Sequence, residues 1–330
     1  MRTKIVYVLV SQESDYYYEM LLLSHYSLRL YHPKGDAEVV LVMDTDTHQR
    51  LVNKKAPILD DVTPVVVDIP EEYTIMQRSR YLKTSLRSHV KGDFIFIDTD
   101  TIICDRLDEI DKMNTDVATV ADMNMNLYFV DEKRIKFGRQ AGFSELKNQP
   151  YYNSGVIYSK ATEESKTFYE KWQSCWKKSI RNNILQDQPA LCQANMEMGH
   201  FVNEISGYWN CQLCYPESRQ YYSKAKIFHY LSNRKALLRN LFFTHLKGIG
   251  NIDDIAKKIV QNPKTFGYAV FTMHDSRTLN YIFSDLLSVY DNSPLQFKMY
   301  IFLSQHLSRP IKTLALLKQT LSRIFKSQKA

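Results

Sequence analysis

Phe94-Ile95-Phe96-Ile97-Asp98-Thr99-Asp100-Thr101 carries the most informative pattern in this 330-residue chain. Four consecutive apolar residues, all Ile or Phe, read as a strand buried on both faces. That strand delivers two carboxylates, two positions apart, at its C-terminal end. In open α/β sheets this edge is where ligands bind. Carboxylates so close repel one another. A hard divalent cation removes the repulsion, and oxygen ligands suit Mg²⁺ or Mn²⁺. The plainer alternative for the motif alone is two solvated Asp in a turn.

The neighbouring sequence sets the fold class. Upstream, strands are expected at 5–10, 38–43 and 64–69, and helices at 15–31, 46–55 and 76–90. Short apolar runs alternating with helical patterns imply βαβ units: an α/β fold with a mainly parallel sheet flanked by helices. Downstream, strands are expected at 117–121, 152–158 and 226–230, helices at 160–179 and 183–196, and a loop-rich stretch at 124–149. Phe168, Trp172 and Trp176 share one helical stripe, which reads as core. From about residue 240 the pattern is helical.

Composition narrows the class. At 44% hydrophobic and 24% charged, the chain is globular, and no run approaches the roughly 18–20 apolar residues of a spanning helix. The opening Met1-Arg2-Thr3-Lys4 precedes an apolar run too short for a secretion signal, followed by Ser11-Gln12-Glu13-Ser14-Asp15 with no cleavage site. It reads as a first strand and places the chain in the cytoplasm. Five cysteines do not make a disulfide framework. Cys211-Gln212-Leu213-Cys214 is a single C-x-x-C, which Cys192 and His200 could complete as a zinc site. Reduced thiols are the default reading.

The net charge of +7 is a C-terminal feature. After Asp291 come Lys298, Arg309, Lys312, Lys318, Arg323, Lys326 and Lys329, with no anion among them. Ile311, Leu314, Leu317, Leu321, Ile324 and Phe325 recur at three- and four-residue spacing after Pro310. A basic amphipathic helix at 310–330 suits an anionic membrane surface and predicts peripheral association with the inner face of the membrane. A packed terminal helix is the alternative. Nucleic acid is the weakest option, since the basic stretch lacks interleaved aromatics apart from Phe325.

Two enzyme classes end an apolar strand in D-x-D-x-T: haloacid dehalogenase-like phosphatases and GT-A-fold nucleotide-sugar glycosyltransferases. The phosphatase motif lies on a first core strand, whereas this one follows three strands. Downstream, Tyr152-Asn153-Ser154-Gly155-Val156 resembles the F-N-[AS]-G-V strand of family 8 glycosyltransferases, which include glycogenin and bacterial lipopolysaccharide galactosyl- and glucosyltransferases. Leu185-Gln186-Asp187-Gln188 resembles that family's D-Q helix start. His229-Tyr230-Leu231-Ser232-Asn233-Arg234-Lys235-Ala236-Leu237 resembles its H-[FY]-x-G-x-x-K-P-W segment, departing at Ser232, Ala236 and Leu237. The motifs occur in family order over residues 5–237.

The resemblance implies a GT-A-like catalytic domain at 1–237, with a nucleotide-binding half at 1–100 and an acceptor-side half at 101–237. A helical region with a basic tail follows at 238–330. It implies a metal-dependent retaining transferase that moves a hexose from UDP-glucose or UDP-galactose to a cell-surface glycan or a lipid-linked acceptor. A nucleotide-sugar-binding protein without turnover is the alternative from another class. The resemblance assigns Asp98, Asp100 and His229 to Mn²⁺ or Mg²⁺ and Lys235 to the diphosphate. Ser11 and Tyr17 would hold the nucleobase. Arg80, with Lys83 as its rival, would touch the donor, as would Asp98. Asp122 and Asn153 would contact the sugar. Asp187 and Gln188 would face the anomeric carbon, either through a covalent intermediate or in front-face attack. Asp187 could instead simply cap the helix that follows it.

Overall fold

The structure is a computed structural model that describes residues 1–11, 16–143, 146–213, 215–230, 261, 263 and 264. Lys235, Cys214, the departures at 232–237 and the basic tail at 310–330 lie outside the described residues.

The first half follows the expected alternation: β1 (Lys4–Leu9), α1 (Tyr16–Tyr31), β2 (Val39–Asp44), α2 (Thr45–Asn53), β3 (Thr63–Val67), α3 (Ile75–Thr84), α4 (Leu86–His89) and β4 (Phe94–Ile97). Then come β5 (Thr101–Ile103), β6 (Val117–Ala121), α5 (Glu132–Gln140), β7 (Tyr152–Ser159), α6 (Glu163–Arg181), α7 (Gln188–Glu197), β8 (Asn203–Glu204), β9 (Cys211–Gln212) and β10 (Ile227–His229). Seven strands form one sheet in the order β3-β2-β1-β4-β7-β6-β8. Its first four strands are mutually parallel, and β7 runs antiparallel to both β4 and β6. A second sheet, β5-β10-β9, stands beside it. The expected α/β sheet with flanking helices is therefore observed.

Each central strand feeds two cores, because successive side chains point to opposite faces. From β1 and β4, Ile5, Tyr7, Ile95 and Ile97 pack with α1, whereas Val6, Val8, Phe94 and Phe96 pack with α3, α6 and α7. Phe168, Trp172 and Trp176 are buried in the second core, as their spacing predicts.

Three short strands, β5, β8 and β9, lie outside the expected set, and three helical stretches differ from it. The helix expected at 76–90 breaks at Ser85, whose Oγ donates to Tyr81 O at 2.8 Å and competes with the helical ladder. The helix expected from 183 starts at Gln188, because Asn183 has a positive φ of 59° and Pro189 pre-sets a helix start. The 124–149 stretch contains α5, capped by Asp131 Oδ1 accepting from Arg134 N at 2.8 Å. Its apolar periodicity is weak because Gly138 is its one buried residue among those described.

Candidate active site

Strand pairing assembles the site. The register of β4 on β7 sets Ile97 against Val156, so Asp98 N donates to Gly155 O at 2.7 Å. Just beyond, Thr101 Oγ1 donates to Asp98 O at 2.8 Å and closes the turn. β5 pairs with β10 so that Thr101 faces His229, and Tyr230 N donates to Asp100 O at 3.1 Å. His229 Nε2 consequently lies 3.1 Å from Asp100 Oδ1.

Asp98, Asp100 and His229 each offer a ligand atom, and these atoms all lie within 4.8 Å of one another. Two carboxylates and an imidazole are a donor set suited to Mn²⁺ or Mg²⁺. The residues fit such an ion chemically and by convergence. A second cluster, His32, Asp36 and Asp108, does not. His32 Nε2 accepts from Leu107 N, its Nδ1 bonds Asp36, and Arg106 pairs with both carboxylates. Nor do the cysteines support zinc among the described residues: Cys192 Sγ points at Pro150 O and Cys211 Sγ at Ser218 O.

Cations from α3 face the carboxylates. Lys83 Nζ lies 3.2 Å from Asp98 Oδ1, 3.2 Å from Ser154 Oγ and 3.5 Å from Asp187 Oδ2. Arg80 Nε is 3.1 Å from Asp187 Oδ1. Both rivals for the donor contact are thus in the site. Burial would raise the Asp187 pKa, but Lys83 and Arg80 outweigh it and hold it at about 2. Burial pushes Asp98 above the ordinary range against the pull of Lys83, with Asp100 adding to the rise. Burial would lower the His229 pKa, but Asp100 outweighs it and raises it.

Asp187 does not act as a helix cap: its side chain makes no capping hydrogen bond. Instead Trp172 Nε1 donates to Asp187 O at 3.1 Å and Trp176 Nε1 to Leu185 O at 3.3 Å. The indoles of α6 hold the 185–187 segment, and the carboxylate is left to the cations.

Behind this layer is a buried polar network. Asp122 Oδ1 accepts from Asn153 Nδ2 and from Gln188 Nε2, both at 3.0 Å, while Arg134 Nε pairs with Asp122 Oδ2 at 2.5 Å. Gln212 Oε1 accepts from Met123 N and Asn153 Nδ2, and Gln212 Nε2 donates to Ala121 O. Met123 and Asn124 carry consecutive positive φ values of 59° and 53°. Such conformations cost energy and persist where their surroundings enforce them; here Asn124 Oδ1 accepts from Gln212 N and Ser218 Oγ.

In front of this network lies a cleft of about 570 Å³. Tyr17, Arg80, Asp98, Asp100, Asn153, Asp187, Gln188 and His229 all line it. Tyr17 is 44% exposed and lines the cleft. Ser11 and Asp122 are buried and not on the wall; Ser11 N donates to Thr47 Oγ1 at 2.9 Å. Sequence reading missed Ser154, Arg134, Asn210 and Gln212. Ser154 lay inside a quoted motif. The other three are polar residues whose burial no local pattern announces.

A family model described as nucleotide-diphospho-sugar transferase matches residues 36–213. No curated protein matches the chain significantly. Among solved structures, the galactosyltransferase LgtC in complex with donor and acceptor sugar analogs is similar at 14% identity, covering 71% of this chain and 88% of that one, with a TM-score of 0.49. Mouse xyloside xylosyltransferase 1 is similar at 15% identity, covering 70% and 98%, with a TM-score of 0.46. The glycosyltransferase GlyE of Streptococcus pneumoniae TIGR4 is similar at 12% identity, covering 80% and 62%, with a TM-score of 0.48.

Proposed function

The chain belongs to the nucleotide-diphospho-sugar transferase family, and from that membership we propose a metal-dependent, retaining hexosyltransferase of the family 8 type. Its donor is UDP-glucose or UDP-galactose, and its acceptor a cell-surface glycan or the lipid-linked precursor of one, as in lipopolysaccharide biosynthesis. The observation that carries the reading is the convergence of Asp98, Asp100 and His229 in the same cleft as Asp187 and Gln188.

Asp98, Asp100 and His229 would hold Mn²⁺ or Mg²⁺, which when bound supplies Lewis-acid stabilisation of the leaving diphosphate. Tyr17, which lines the cleft, would stack its ring on the uracil. Asn153 borders the sugar site, and Asp122 orients it through Asn153 and Gln188. Because Gln188 Nε2 is committed to the Asp122 carboxylate, Oε1 remains as the polar atom for an oxocarbenium-like centre. Asp187 is neutralised by two cations, which weakens it as a nucleophile. This favours front-face attack, in which the leaving phosphate takes the acceptor's proton, over a covalent intermediate.

No helix among the described residues is long and apolar enough to cross a membrane. Peripheral attachment through 310–330 rests on the sequence pattern of that tail. A hydrolysis screen across UDP-sugars, with and without Mn²⁺, tests the central reading. Mn²⁺-dependent release of UDP from a UDP-hexose is expected; tight UDP-sugar binding with no turnover under any acceptor mixture would leave a binding protein instead.

A further inference from the structure

His229 is an unusual ligand candidate because both of its ring nitrogens face fixed acceptors. Nε2 meets Asp100 Oδ1 at 3.1 Å, and Nδ1 meets Asn210 Oδ1 at 3.0 Å. The hydrogen-bond network fixes which amide atom of Asn210 faces the ring.

A backbone N–H can only donate, and a carboxylate can only accept. Gly155 N donates to Asn153 Oδ1 at 2.9 Å, so that atom is oxygen. Asn153 Nδ2 faces the Asp122 carboxylate at 3.0 Å, so that atom is nitrogen. Gln212 agrees, since its Oε1 accepts from Met123 N and also receives Asn153 Nδ2. With Asn153 fixed, the Asn210 atom 2.9 Å from Asn153 Oδ1 must be its NH₂ group. Asn210 Oδ1 therefore faces His229, and Nδ1 of the ring must carry hydrogen. Both asparagines are buried, so no bulk water offers an alternative partner.

We propose that Asn210 is a positioning residue that holds the Nδ1 proton of His229, so that the proton released when a divalent cation binds is the one on Nε2 and that nitrogen's lone pair is left for the cation. The commitment starts at the Gly155 backbone N–H and passes through Asn153 to Asn210. An imidazole free in water prefers the opposite tautomer, with hydrogen on Nε2. Asn210 opposes that preference, orients the ring and raises the basicity of the coordinating nitrogen. This inference rests on the metal reading of the site.

The test uses the full chain and Mg²⁺, which is diamagnetic, with UDP present. Nitrogen-15 spectra of labelled histidine, assigned with His229→Gln, should show a protonated Nδ1 and an unprotonated Nε2 in the Mg²⁺ complex. That measurement needs no altered Asn210. Calorimetry of Asn210→Leu should then show Mn²⁺ affinity reduced by about 10- to 100-fold, the range for lost partners of metal-bound histidine. Wild-type protein that takes up no cation would overturn both the metal reading and this inference. A bound cation with hydrogen on Nε2 would overturn the inference alone. So would Asn210→Leu that keeps native circular dichroism and unchanged Mn²⁺ affinity.

Discussion

His229 fills the space that Gly155 leaves by having no side chain. A Cβ on Gly155 would lie 2.3 Å from His229 Cε1 and 2.8 Å from Nδ1, far inside contact distance. Gly155 also accepts from Asp98 N through its carbonyl and orients Asn153 through its N–H. One glycine thereby touches both sides of the candidate metal site. We expect Gly155→Ala to push the ring away from Asp100, costing about 1–3 kcal/mol of stability from overpacking. Mn²⁺ binding should fall in parallel. Calorimetry with unchanged Mn²⁺ affinity and an unchanged melting temperature would show that the ring moves freely.

The paired carboxylates give the second expectation. EDTA should abolish transfer, and Mn²⁺ should restore it. Asp98→Asn or Asp100→Asn should lower kcat by orders of magnitude. The fold should survive, because burial already disfavours the Asp98 charge in the cation-free protein. Steady-state kinetics beside thermal melts make the check, and full activity in EDTA would remove the cation from the scheme.

Asp187 predicts an acid-sensitive element of stability. Its folded pKa of about 2 lies below the ordinary carboxylate value. Its contribution is therefore complete above pH ~4 and fades as pH falls towards 2, with a size on the order of 2 kcal/mol. Asp187→Asn should be less stable than the parent at pH 7, and the gap should narrow through that window. Urea titrations at pH 7, 4, 3 and 2 measure it. A gap independent of pH would mean that Arg80 and Lys83 do not hold this carboxylate.

Stereochemistry tests the reaction class. The product should keep the donor's α-configuration, read from the anomeric proton by NMR. An inverted product would take Asp187 and Gln188 out of their proposed roles.

The tail carries a prediction from sequence alone. The full chain should sediment with anionic vesicles at low salt, and about 0.5–1 M NaCl should weaken this by shortening the Debye length to a few ångströms. Deleting residues 310–330 should release the protein while UDP-sugar hydrolysis persists. Vesicle binding that survives the deletion would end the membrane reading.

The alternating βαβ half, the carboxylates at the end of β4, and the glycine, D-Q and histidine motifs in order are all legible in the sequence. Each is a local signal: an apolar run, a short spacing, a residue type at a strand end. Nine of the residues the sequence singled out, Lys83 among them, line one cleft. Tertiary structure alone decided how they are wired. That Lys83 serves both Asp98 and Asp187 depends on α3 packing against β1, β2 and α6, which brings this side chain to the end of β4 and to the 185–187 segment. That Asp187 faces cations and does not cap α7 depends on two indoles fifteen and nine residues upstream of the carbonyls they hold. Asn210 and Arg134 were illegible because a buried polar side chain has no periodicity. Its role is defined by partners 57 and 19 residues away for Asn210, and for Arg134 by Asp122, just past the end of β6. Hydrogen bonds between distant segments exist only once the sheets have closed, since the desolvation that demands such partners is itself a product of the fold.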